Sequence, residues 1–129
     1  MSDFFDRLWG KAQQPPPEPD PDLPLISQTN VPETSAKELK ALLASPEPPF
    51  VLDVREPYEW PDGVIPGAAQ IPMNSIPARL DELPRDRAIV AYCHIGERSW
   101  YVAEFLLRNG FTNVSHLTGG IEAWWRQRD

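Results

Sequence analysis

From Val31 onward, short apolar runs rich in β-branched residues alternate with segments whose apolar positions recur at helical spacing, and this alternation restricts the chain to few folds. Phe50-Val51-Leu52-Asp53-Val54 and Ala88-Ile89-Val90-Ala91-Tyr92 are continuous runs of strand length. Ala69 to Pro72 and Asn113 to Leu117 supply two further strands, and Val31 to Thr34 a short extended lead-in. A run that is apolar at nearly every position suits a strand buried on both faces, which requires helices above and below the sheet. Ser35 opens one helix through a capping box with Glu38 and carries Leu39, Leu42 and Leu43 as far as Ser45-Pro46. Residues 75–83 and 99–109 are predicted as two more, the second ended by Asn109-Gly110. A terminal helix after Thr118-Gly119-Gly120 holds Ile121, Ala123, Trp124 and Trp125. The expected class is α/β, three layers with a mainly parallel central sheet flanked by helices on both faces.

Residues 1–30 do not fit that pattern and read as a separate segment ahead of a domain spanning residues 31–129. Six of the chain's 16 prolines fall between Pro15 and Pro24, which makes that stretch an extended linker rather than core. Before it, Phe4, Phe5, Leu8, Trp9 and Ala12 share one face of a short amphipathic helix. Such a face is expected to be covered by the protein's own surface, a second copy or a docking partner.

The charge balance excludes one class of function. Nineteen acids against twelve Lys and Arg leave a net charge of −7, with no basic stripe, so binding to nucleic acid is not expected. One cysteine and two histidines cannot supply a disulfide framework and leave little for a metal site, so neither metal nor cofactor is expected. With no secretory leader pattern and no apolar run of transmembrane length, the reading is a reducing cytoplasm.

In a parallel α/β sheet, sites form beyond the carboxyl ends of the strands. The Ala88–Tyr92 strand delivers Cys93 to such a place, followed by His94-Ile95-Gly96-Glu97-Arg98 and a helix from Ser99. A thiol at a helix N-terminus meets the positive end of the helix dipole and unpaired amides, both of which favour thiolate. Gly96 lets the backbone turn its amides inward, and Arg98 adds a cation. Taken singly, each residue has a plainer reading. Cys93 could be a small buried hydrophobe, Gly96 a turn, and Arg98 a surface partner of Glu97 or Glu104. Their joint occurrence in one strand-loop-helix segment favours a nucleophile with an anion cradle.

That loop, Cys93-His94-Ile95-Gly96-Glu97-Arg98-Ser99, resembles the Cys-x-x-Gly-x-Arg-Ser loop of the single-domain rhodaneses, the thiosulfate sulfurtransferases. The resemblance extends to Leu52-Asp53-Val54-Arg55-Glu56, to Gly63-Val64-Ile65-Pro66-Gly67-Ala68 and to Leu117-Thr118-Gly119-Gly120-Ile121-Glu122-Ala123-Trp124. It implies the rhodanese-like fold and a sulfurtransferase that moves sulfane sulfur from a donor such as thiosulfate to cyanide or a thiol through a cysteine persulfide. Carried onto this chain, Cys93 is the catalytic nucleophile, and His94, Ile95, Gly96, Glu97, Arg98 and Ser99 form the substrate-binding loop. Arg98 orients the donor's anionic end, while Asp53 and Arg55 support the site without reacting. The implied partners are a small-molecule sulfur donor and acceptor, or a protein thiol. One position departs from the family pattern: Val64 stands where the family usually has His, which bears on local geometry more than on sulfur transfer. His94 could tune the thiol or be a rim residue without chemical duty, and His116, on a strand, reads as a satisfied structural side chain.

Two other classes remain as alternatives. One is a rhodanese-like sulfur-carrier or partner-binding module with little catalysis. The other is a cysteine-dependent phosphatase or arsenate reductase, which needs Cys-x5-Arg, one residue more than the six from Cys93 to Arg98.

Overall fold

The computed structural model describes residues 30–127, so the amphipathic stretch and the proline-rich segment lie outside the described residues. Five strands form one sheet: β1 (Glu33–Thr34), β2 (Phe50–Asp53), β3 (Ala69–Gln70), β4 (Ile89–Tyr92) and β5 (Val114–Leu117), in the order β1-β5-β4-β2-β3. Every pairing is parallel. Among the described residues three α-helices accompany them: α1 (Ala36–Leu43), α2 (Glu97–Arg108) and α3 (Gly120–Arg126).

The continuous apolar runs are explained by two separate cores. On one face Leu52, Ile89 and Ala91 pack with Val102, Ala103 and Leu106 of α2. On the other Val51, Val90 and Tyr92 pack with Leu39 of α1 and Ile121 of α3. Adjacent strand residues point to opposite faces, so a strand with a core on each side has no polar face to show. The capping box forms as the sequence suggests: Ser35 Oγ accepts from the Glu38 amide at 3.0 Å, and Glu38 Oε1 from the Ser35 amide at 2.8 Å.

Two helical expectations are corrected. The segment predicted as a helix over 75–83 is a 3-10 stretch, Met73–Glu82, because Pro77 lacks an amide and the backbone breaks at Arg79 (φ −124°, ψ 25°). The helix predicted from Ser99 starts two residues earlier at Glu97, since Gly96 at φ +114° completes the turn out of β4 within fewer residues. A second 3-10 stretch, Pro57–Asp62, follows β2. It carries no hydrophobic periodicity, but it contributes to the site. Asp53 pairs with Tyr92 in register, so β2 and β4 end level and bring Arg55 and Cys93 to the same edge of the sheet.

Candidate functional site

Cys93 leaves the end of β4 with 1% of its surface exposed. Its Sγ accepts the Gly96 amide at 3.1 Å and the Ser99 amide at 3.4 Å, and Ser99 Oγ stands 3.6 Å away. The carbonyls of the same loop are anchored on the opposite side: Ile121 N–H donates to Cys93 O at 2.9 Å and Glu122 N–H to His94 O at 3.2 Å. In a trans peptide the N–H points away from its C=O, so tying both carbonyls to the start of α3 turns the His94 and Ile95 amides the other way. The Thr118-Gly119-Gly120 turn is therefore part of the cradle. A Cβ on Gly120 (φ +62°) would lie 2.2 Å from His94 O, so only glycine lets α3 come this close.

A second network braces the loop from β2. Asp53 and Arg55 are both buried and form a two-point pair, Arg55 Nε to Oδ1 at 3.1 Å and Nη2 to Oδ2 at 2.9 Å. The same guanidinium donates to Glu59 O at 3.3 Å and Gly63 O at 2.7 Å. Tyr92 OH donates to Asp53 Oδ2 at 2.8 Å and accepts from the Ile65 amide at 3.1 Å, and burial pushes the phenol's pKa up. A buried charge pair is tolerated only when its remaining donors and acceptors are met, and here the backbone of residues 59–65 meets them. Val64, the position of departure from the family pattern, is 41% exposed beside this network.

Arg98 pairs with neither Glu97 nor Glu104. Its two terminal nitrogens clamp Glu59 at 2.7 and 2.9 Å, joining the Cys93 loop to the 3-10 stretch after β2. The guanidinium holds the Glu59 carboxyl down to about 2 against the opposing effect of burial, from an ordinary 4.5. A carboxylate depressed in the folded state adds stability that is fully present above its unfolded value and lost as pH falls through the folded one. Glu59→Gln is therefore expected to be less stable than wild type at neutral pH by about 1–2 kcal/mol after allowance for partial exposure. Acid-unfolding curves followed by circular dichroism should show that difference shrinking between pH 4.5 and about 2. A constant gap across that range would show that the pair contributes nothing.

The loop residues divide by position. Ile95, Gly96, Glu97 and Arg98 line a cleft of about 760 Å³ together with Met73, Trp100, Tyr101, His116, Thr118 and Gly119. Ser99 lies buried under the sulfur. The His94 side chain turns away to Glu122, Nε2 to Oε2 at 2.7 Å, and lines a separate depression with Arg55, Glu59, Asp62 and Trp125. His116 is not the satisfied structural side chain expected. It is buried with Nδ1 3.2 Å from Ser99 Oγ, and its Nε2 has no hydrogen-bond partner among the described residues. The Glu33 carboxylate approaches Nε2 to 3.8 Å, within ion-pair reach but too far for a hydrogen bond. Burial pushes the imidazole towards its neutral form, with Glu33 opposing.

Sequence reasoning missed Glu59, Met73, Trp100, Tyr101 and Thr118. Trp100 and Tyr101 follow the loop directly and carried a usable signal, since the first turn of a helix behind a nucleophile borders its cleft. Glu59 carried none. Among the described residues no three His, Cys, Asp or Glu side chains gather to hold a metal ion, and no helix is long and apolar enough to cross a membrane.

A central parallel strand that feeds a buried cysteine into a loop whose amides donate to its sulfur defines an α/β protein with a cysteine loop at the carboxyl edge of its sheet. The rhodanese-like domain family matches residues 35–127. A sulfurtransferase of Allochromatium vinosum is 42% identical over 94 residues, covering 73% of this chain and 88% of that protein. Among solved structures, a rhodanese-like domain protein from Staphylococcus aureus superposes with a TM-score of 0.69 at 34% identity, covering 73% of this chain and 91% of that one. A rhodanese-related protein from Thermoplasma volcanium does so with a TM-score of 0.68 at 32% identity, covering 74% and 91%. The chain belongs to the rhodanese-like family, with the role of a rhodanese-type sulfurtransferase.

Proposed function

We propose that Cys93 carries sulfur as a persulfide, loaded by a sulfane donor such as thiosulfate and discharged to cyanide or to a thiol. The Cys93 thiolate attacks the donor's outer sulfur, an S–S bond forms, and the bond to the sulfonate sulfur breaks with its electron pair leaving on sulfite. The terminal persulfide sulfur then carries the negative charge. Cyanide attacks that sulfur, thiocyanate departs, and the thiolate returns. The observation that carries this reading is the placement of Sγ on the Gly96 and Ser99 amides, donors already in place for an anion.

Arg98 acts first as a clamp. With both terminal nitrogens on Glu59, its charge is largely spent inside the protein, and the donor's anionic end is left to the loop amides. The cleft walls of Met73, Ile95, Trp100 and Tyr101 suit a donor whose sulfur rides on an organic or protein thiol better than a bare dianion, as does the net charge of −7. A lone cysteine that must stay reduced fits a reducing cytoplasm.

Intact-protein mass spectrometry after incubation with thiosulfate, an aryl thiosulfonate or an alkyl persulfide tests the proposal. One added sulfur, removed by cyanide, is expected with each donor, and about tenfold faster loading from the aryl and alkyl donors. Absence of an adduct with all three overturns sulfur carriage. Faster loading from thiosulfate overturns the donor class alone.

A further inference from the structure

The sulfur and His116 are joined through one side chain. Sγ of Cys93 lies 3.6 Å from Ser99 Oγ, and Ser99 Oγ lies 3.2 Å from Nδ1 of His116. Beyond the ring, Nε2 faces the Glu33 carboxylate at 3.8 Å. The thiol and the ring are both buried, whereas Glu33 is 63% exposed, so the row runs from the buried nucleophile to solvent. The four residues come from three strands or strand ends and one helix: Glu33 from β1, Cys93 after β4, Ser99 in α2 and His116 in β5. Nε2 of this buried imidazole has no hydrogen-bond partner among the described residues but faces a carboxylate, a neighbour that suits the ring better as a cation than as a neutral group.

We propose that His116 is a positioning residue that takes up the Cys93 proton through Ser99, leaving a thiolate and an imidazolium bridged by the serine hydroxyl, with Glu33 steadying the cation. The inference rests on Cys93 being the sulfur nucleophile. In the resting site the neutral ring carries its proton on Nε2, towards Glu33, and the Ser99 O–H is given to Nδ1 at 3.2 Å in preference to the Gly96 carbonyl at 3.3 Å. On ionisation the S–H bond breaks with its electron pair staying on sulfur, the proton passes to Ser99 Oγ, and the serine's own proton moves to Nδ1. Ser99 then donates to the sulfur anion while Nδ1–H donates to Ser99 Oγ. No oxidant or reductant is involved. Burial keeps the ring neutral at rest, so that Nδ1 has a lone pair to receive the proton, and the Glu33 carboxylate works against the penalty that burial sets on the cation. Around the ring, Glu33 faces it from β1 and Ser99 from α2. Glu97, Arg98 and Tyr101 line the same cleft, Arg98 being neutralised by Glu59.

The test follows the thiolate directly and uses no sulfur donor, so its failure is distinguishable from failure of sulfur transfer. Alkylation of Cys93 by iodoacetamide is measured against pH in the full chain, with thiolate absorbance as a second readout and Cys93→Ser as blank. His116→Asn places an amide oxygen near the position of Nδ1, able to accept from Ser99 but unable to take its proton. Alkylation at pH 7 is expected to slow about tenfold, with the pH profile displaced upwards and the circular dichroism spectrum retained. Glu33→Gln, an exposed change, is expected to displace the profile in the same direction by two- to threefold. A purely structural His116 would lower the melting temperature and leave the profile in place. A folded His116→Asn with the wild-type profile overturns the proposal. Should that variant fail to fold, an unchanged profile in Glu33→Gln overturns it instead.

Discussion

Cys93→Ser is expected to remove sulfur loading entirely, because the chain has no second thiol to receive the sulfur. A serine hydroxyl in the same cradle would meet the Gly96 and Ser99 amides, so the fold is expected to survive and the loss to be chemical. Intact mass after exposure to a sulfane donor reads the result: one added sulfur on wild type, none on the variant. An adduct that persists on serine would place the sulfur elsewhere and overturn the assignment of the nucleophile. The same pair of proteins separates sulfur chemistry from phosphoryl chemistry. The loop from Cys93 to Arg98 holds six residues, and the proposed persulfide needs room for one terminal sulfur, whereas a phosphoryl group with its oxygens would need a wider loop. Aryl phosphate hydrolysis that depends on Cys93 and outruns its sulfur transfer would assign the site to phosphoryl chemistry instead.

Gly120→Ala should be nearly as damaging, although the residue touches no substrate. Its backbone sits at φ +62°, and a Cβ there would come within 2.2 Å of the His94 carbonyl oxygen and 2.7 Å of that of Cys93. Neither obstacle is a flexible side chain, so α3 or the loop itself must move. The left-handed backbone and the overpacking together cost about 3–5 kcal/mol. A domain this size has about 5–15 kcal/mol in all, so melting is expected roughly 15 °C or more below wild type. Whatever protein stays folded should load sulfur poorly, because the carbonyls of Cys93 and His94 lose the anchors that turn the loop amides inward. Thermal melting with loading measured below the midpoint checks both parts. A variant with wild-type melting and loading would show that the α3 turn has no part in forming the cradle.

Much of the fold was legible because its signals are local. The β2 and β4 runs are apolar at adjacent positions because each strand lies between two cores, and a chain can show that only as an uninterrupted run. The α1 start was readable since a capping box needs residues only three apart. Pro77, with no amide to donate, works against a regular helix over 75–83, and that stretch takes 3-10 geometry with a break at Arg79.

The sequence by itself determined the order of strands and helices, the delivery of Cys93 from a strand end into a glycine-containing loop, and the family to which these motifs point. Tertiary structure decided what surrounds the sulfur. Glu59 and Arg98 are 39 residues apart, Ser99 and His116 are 17 apart, and Gly120 meets His94 only because β4 and β5 are neighbours. Hydrophobic period and capping are properties of a few consecutive residues, set by the geometry of one turn or one pleat. An ion pair across two loops depends instead on which strands lie side by side and how far each extends. That is why Arg98 reads in the sequence as a cation for a donor and stands in the fold as the clamp on Glu59.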